Sequence, residues 1–201
     1  NGLAENTLIV YTSDQGFYLG EHGWFDKRWM YEESFKMPFL IKHPRIIEAG
    51  TTTDAMVMNV DFAPTLIDMA GLQIPTEMQG ESFKGAFEGD ENKNRKSVYY
   101  HYYEWPIWHK VQPHYGIKTD RYKLIHFYYS MDEWELYDLE TDPNEMNNIY
   151  SEAPVDLIEN LKYELNELRK KYKDDGSVEE MRQMTDTVIR RVYNEPNKIM
   201  K

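Results

Sequence analysis

The residues best suited to chemistry stand close together near the start of this 201-residue chain. Asp14 and Gln15 follow an apolar, β-branched run, Leu8 to Tyr11, and precede Gly16. Such a run reads as a buried strand, and in open α/β sheets ligands gather outside the carboxyl ends of the strands. A carboxylate and an amide oxygen side by side are hard donors that suit a divalent cation. Lys27 lies thirteen residues beyond Asp14, after a loop carrying Gly16, Gly20 and Gly23, so the loop can return an ammonium toward the same place to meet an anion. Asp26 and Arg28 flank that lysine, and three consecutive charges among aromatics suit a polar recess. The ordinary alternatives are a solvated charged face for the run and a plain turn or helix cap for Asp14. A later connection, Tyr102 to Gly116, mixes aromatic residues with His109, Lys110 and His114, the composition of a sugar-binding loop.

The wider string narrows the reading. Thr12-Ser-Asp14-Gln15-Gly16-Phe-Tyr-Leu-Gly20-Glu21-His22-Gly23, then Asp26-Lys27-Arg28 and Pro38-Phe-Leu-Ile, resembles the sulfatase family. The likeness continues through Val60-Asp61-Phe-Ala-Pro64-Thr65-Leu, Gly116-Ile-Lys-Thr-Asp-Arg121-Tyr122-Lys123-Leu and Asp142-Pro143-Asn144-Glu145. It implies an α/β fold: residues 1–90 as the C-terminal part of an alkaline-phosphatase-like sulfatase α/β domain, and residues 91–201 as a small antiparallel sheet packed with a helix. In that family an Asp and a neighbouring Asn, His or Gln bind calcium, which makes Asp14 and Gln15 the expected metal ligands. A Lys beyond the glycine loop binds the sulfate, and Lys27 falls on that catalytic position. Asp26, Arg28, His22 and His114 are then the expected contacts to a sulfated carbohydrate substrate.

The family's nucleophile is a formylglycine made from Cys or Ser in a Cys/Ser-x-Pro/Ala-x-Arg motif far upstream. This chain has no cysteine and no serine form of that string. The resemblance therefore implies a C-terminal portion, inactive alone, whose partner is the N-terminal part of the same domain. A narrower likeness, carried by Asp26-Lys27-Arg28, Tyr31-Glu32 and His114-Tyr115-Gly116, is to glucosamine-6-sulfatases and their bacterial relatives. It implies removal of the 6-sulfate of N-acetylglucosamine in glycosaminoglycans or mucin glycans, with periplasmic or secreted residence. Competing readings are a sulfatase for iduronate or galactosamine sulfates, a phosphodiesterase or phosphonate hydrolase of the same superfamily, and a non-catalytic carbohydrate-binding module. An upstream nucleophile motif would separate the enzymes from the module.

Composition sets outer bounds. Hydrophobic residues make up 41% and aromatics 14%, enough for a packed core and against global disorder. A formal net charge of −12 argues against a nucleic-acid partner, which calls for a basic face. Any anionic ligand must instead meet a local positive patch. No apolar run is long enough to span a membrane, and no signal peptide opens the sequence. Without cysteine, disulfides and thiol chemistry are excluded within this chain.

The elements that must position these residues follow from periodicity. Met37 to Pro44 reads as a second buried strand, and Asp61 to Gly71 as a helix capped by Asp61 and stopped by Gly71. Residues 24–37 read as a loop and short helix whose aromatics pack on a sheet. Polar, glycine-bearing residues 85–97 mark a boundary. Beyond it, short strands are expected at Val98–Tyr103, Tyr115–Lys118, Tyr122–Tyr128 and Trp134–Tyr137, with a tight turn at Asp120-Arg121. Val155, Ile158, Leu161, Leu165, Leu168 and Tyr172 form one face of an amphipathic helix that should cover the sheet, and residues 177–195 form another helix.

Overall fold

The computed structural model describes residues 1–87, 89, 95–105 and 109–194; much of the expected boundary at 85–97 and part of the aromatic connection lie outside them. The chain divides into two compact units. One comprises Asn1–Gly16 with Lys36–Lys96, the other Phe17–Phe35 with Ser97–Lys201. No helix among the described residues is long and apolar enough to cross a membrane.

In the first unit, strand β1 (Ile9–Thr12) pairs antiparallel with β4 (Phe39–Lys42), Val10 opposite Ile41 and Tyr11 opposite Leu40. Side chains alternate across a strand. Leu8, Val10, Phe39 and Ile41 accordingly share an apolar cavity with Phe62, Thr65 and Leu66 of helix α2 (Phe62–Met69) and with Phe83. The opposite face keeps Ile9, Tyr11 and Leu40 more than half exposed. The expectation of buried strands is corrected here, because no described element of this unit covers that second face.

Asp61 departs from its expected role as well. Its side chain makes no cap bond to α2. It is buried, accepts from the Met58 and Glu81 backbone N–H groups at 2.8 Å each, and takes a forked pair from Arg95 at 2.5 and 2.9 Å. The helix start is tied down instead by Thr65 Oγ1, which donates to the Asp61 carbonyl at 2.7 Å.

The second unit is built on a four-stranded antiparallel meander, β5 (Ser97–Tyr102), β6 (His114–Thr119), β7 (Tyr122–Phe127) and β8 (Glu133–Asp138), in sequence order. The expected strands are all present, and Asp120-Arg121 forms the turn between β6 and β7. The register sets Ile117, Leu124 and Leu136 in one row. They face Leu161 and Leu165 of helix α4 (Val155–Lys171) and Met181 of α5 (Val178–Asn194), so the amphipathic helix covers the sheet as its periodicity predicts. The other face holds His114, Phe127, Gly116 and Ile125. Residues Phe17–Phe35 pack there: the short ladder β2 (Tyr18–Leu19) and β3 (Phe25–Asp26), then Trp29, Met30 and Tyr31, then α1 (Glu32–Phe35).

Gly116 is where this segment comes closest to the sheet. A Cβ there would stand 2.3 Å from the Leu124 carbonyl oxygen and 2.6 Å from Met30 Sδ. Both are too close for a carbon, so glycine is required for packing rather than for its backbone angles. Gly116→Ala is expected to destabilise the full-length protein by about 1–3 kcal/mol through overpacking, measured by urea denaturation.

Candidate active site

Asp14 and Gln15 lie just past the end of β1 in the first unit. Ser13 Oγ donates to the Gln15 carbonyl at 3.0 Å, and the Asp14 carbonyl accepts from Asn59 Nδ2 at 3.3 Å, which shapes the turn. Asp14 is exposed and Gln15 half-buried. Their oxygens suit a hard cation such as calcium, which takes about six to eight such donors. Among the described residues, no group of three or more His, Cys, Asp or Glu is placed to hold a metal. The donor chemistry of this pair fits calcium as part of a ligand shell.

The other expected site residues belong to the second unit. His22 sits in a tight turn with φ of 53°, its ring stacked on Tyr31 at 4.5 Å and its Nε2 3.4 Å from Glu33 Oε2. Asp26 and Arg28, on either side of Lys27, adopt φ of 91° and 139°, a region that L-residues rarely enter. Such strain persists only where the surroundings over-determine the conformation. Here Tyr100 OH donates to the Arg28 carbonyl at 2.8 Å, and the Arg28 N–H lies 3.4 Å from Ser34 Oγ. The guanidinium pairs with Asp26 Oδ1 at 3.3 Å and reaches the Lys27 carbonyl at 3.2 Å.

Two more residues join this cluster. His109 stands 2.7 Å from Arg28 Nη2 through Nε2 and 3.1 Å from Asp26 Oδ2 through Nδ1. Glu104 Oε2 lies 3.9 Å from Arg28 Nε. The aromatic composition of Tyr102–Gly116 pointed toward His109, whereas nothing local pointed to Glu104. Both are brought to Arg28 by contacts spanning more than seventy residues, to which a sequence window is blind.

His114 is placed differently from the loop position that the sequence suggested. It opens β6 and is fully buried, its ring stacked with Trp29 at 5.6 Å and with Tyr102 at 5.6 Å. Burial pushes its pKa down to about 4, against a small opposing effect of the Gln112 carbonyl 2.7 Å from Nδ1. The ring is therefore neutral, Nδ1 carries the proton toward that carbonyl, and Nε2 is an acceptor. Neither Nε2 nor the buried Trp29 Nε1 has a hydrogen-bond partner among the described residues. Such orphans are uncommon in buried positions and suit a bound hydroxyl or water.

With the geometry described, known proteins supply the class. Residues 20–171 match the model of the family described as N-sulphoglucosamine sulphohydrolase, C-terminal. The chain is 54% identical over 178 residues to an N-acetylglucosamine-6-O-sulfatase of Bacteroides thetaiotaomicron, covering 86% of this chain and 32% of that protein. It is 33% identical to arylsulfatase K of Xenopus laevis over 79% of this chain and 30% of the relative. It superposes with a TM-score of 0.84, at 53% identity, on a solved protein in complex with its substrate D-glucosamine-2-N,6-O-disulfate, covering 89% of this chain and 37% of that one. The chain thus spans about a third of the length of the curated relatives it matches. Its fold is that of the C-terminal part of the sulfatases, alkaline-phosphatase-like α/β with a small antiparallel sheet. The chain belongs to the N-sulphoglucosamine sulphohydrolase C-terminal family.

The buried imidazole gives a test of the site's packing. An unfolded chain protonates this histidine near pH 6.5 and the folded chain only near pH 4, so stability falls as pH drops through that window. The loss attributable to His114 reaches about 3 kcal/mol. His101 and His126, also lowered by burial, add to it in the same direction. Denaturant titrations of the full-length protein and of His114→Asn from pH 7 to pH 4 are expected to show a flatter pH dependence in the variant.

Proposed function

We propose that the complete protein carrying this chain is a sulfuric ester hydrolase that removes the 6-O-sulfate of a glucosamine residue, with N-acetylglucosamine 6-sulfate of glycosaminoglycans or mucin glycans as its substrate. The observation that carries the proposal is the 54% identity over 86% of the chain to an N-acetylglucosamine-6-O-sulfatase. A ligated D-glucosamine-2-N,6-O-disulfate in a protein 53% identical supports the same sugar. Periplasmic or secreted residence follows as part of this reading.

Hydrolysis of a sulfate ester gathers negative charge on the sulfate oxygens and on the departing sugar oxygen. Fixed positive charge aimed at those atoms lowers the barrier, more so where water is excluded. Lys27 is assigned that contact, since an ammonium is a compact point charge. Asp14 and Gln15 are assigned to calcium, which when bound would neutralise sulfate charge. Asp26 and Arg28 are assigned to sugar hydroxyls, as acceptor and forked donor. His22 and His114 are assigned with them, His114 from beneath the surface, since its ring has no exposure. With no cysteine in the chain, these residues supply binding and charge, and the nucleophile is assigned to the N-terminal part of the same domain.

The test is turnover by the purified full-length protein of 6-sulfated N-acetylglucosamine against its 3-sulfated and 4-sulfated isomers. Preference for the 6-sulfate is expected, and a preference for either isomer would overturn the assignment. Asp14→Ala is expected to weaken calcium binding in a calorimetric titration, with activity lost in parallel. Lys27→Ala should lower kcat by about 10²–10³-fold, the cost of removing one positioned donor from a preorganised site.

A further inference from the structure

We propose that His109 is a positioning residue that locks Asp26 and Arg28 into one rigid recognition unit. The inference rests on the sulfatase reading for what the unit recognises, and on the geometry alone for how it is held.

A guanidinium has only donors, so the 2.7 Å approach of Arg28 Nη2 makes His109 Nε2 an acceptor. The proton then sits on Nδ1, which faces Asp26 Oδ2 at 3.1 Å. Arg28 Nη1 closes the ring on Asp26 Oδ1 at 3.3 Å. Only a neutral imidazole in this one tautomer satisfies both neighbours. Asp26 and Arg28 need such a clamp, because each holds a backbone angle that costs energy to maintain. Glu104 braces the arginine: its Oε2 is 3.9 Å from Arg28 Nε and takes the Tyr102 hydroxyl at 3.4 Å.

The side chains of Arg28, Asp26 and His109 are 19%, 35% and 29% exposed, so the ring stands at the surface of its unit, partly open to solvent. Contacts of this kind set the orientation of a bound sugar, and an error on the order of 1 Å in such placement costs about a hundredfold. His109 contributes by fixing Asp26 and Arg28.

Two measurements test the assignment in the full-length protein. Imidazole nitrogen NMR should report His109 as the neutral Nδ1–H tautomer; an Nε2–H tautomer, or a ring averaging between states, would overturn the proposal whatever the enzyme's substrate. In kinetics, His109→Ala should raise KM for 6-sulfated N-acetylglucosamine at least about tenfold, and reduce kcat/KM for that sugar far more than for a small aryl sulfate. His109→Gln should restore most of the loss, because the amide oxygen and nitrogen stand about as far apart as the two ring nitrogens and supply the same acceptor and donor. Equal losses on both substrates, or no recovery with Gln in a normally folded variant, would make His109 merely structural. A wild-type protein inactive on every sulfated sugar would instead defeat the functional reading, leaving the NMR result to decide the clamp.

Discussion

A lysine with no exposure to water holds the second unit together. Lys123, on β7, places its ammonium 2.9 Å from Glu32 Oε1 and 2.6 Å from Glu145 Oε1. Lys118, beside it on β6, reaches the same Glu32 oxygen at 2.6 Å, and Glu145 Oε2 accepts the Glu32 backbone N–H at 2.6 Å. Burial alone would raise the Glu32 pKa, but the two ammonium groups overcome it and hold the carboxyl at about 2. Glu145 is raised instead, because burial outweighs its single lysine. A pair this deep adds little net stability, yet removing one partner costs about 3–5 kcal/mol by stranding the other charge. What it fixes is placement. Glu32 directly follows Trp29-Met30-Tyr31, and the charged ring at Asp26–Arg28 lies just before them. The Asp142–Glu145 turn and the aromatic segment are therefore set on the sheet by the same four side chains.

The opposite face of the sheet uses a gentler version of this device. Asp174, in the loop joining α4 and α5, takes Tyr99 OH, Tyr103 OH and His101 Nδ1 on a single oxygen. Those donors outweigh its partial burial and hold the carboxyl below the usual range. Arg169 lies over the Tyr115 ring at 4.5 Å and donates to the Asp174 and Gly176 carbonyls, so the loop closes against edge strand β5.

How much of this was legible depended on the reach of each interaction. The meander and both long helices follow from two- and 3.6-residue periods, which are local, and they stand within a residue or so of expectation. The β1–β4 ribbon was legible as strands but not in its burial, since a continuous apolar run does not say whether a second cover lies in the same stretch of chain. Asp61 had the composition of a cap, and only the arrival of Arg95 shows it to be an ion-pair partner. Lys118, Lys123 and Glu145 were recognisable by family likeness, but nothing local says that they converge on Glu32. Asp14 and Gln15 were legible as donor chemistry, and Asp26 and Arg28 as charges in an aromatic setting. Glu104 was invisible for the same reason as Glu32's partners.

The segment Phe17–Phe35 belongs with Ser97–Lys201 although it is made long before them. Its anchor at Glu145 lies 113 residues downstream of Glu32. At ribosomal speeds of about 5–20 residues per second, that carboxylate emerges roughly 6–23 s after its partner. Until the strands between Ser97 and Asp138 have followed it out, a stretch bearing Phe17, Tyr18, Trp24, Phe25, Trp29, Met30 and Tyr31 has no sheet to lie on. Circularly permuted versions that make the meander first would shorten this exposure.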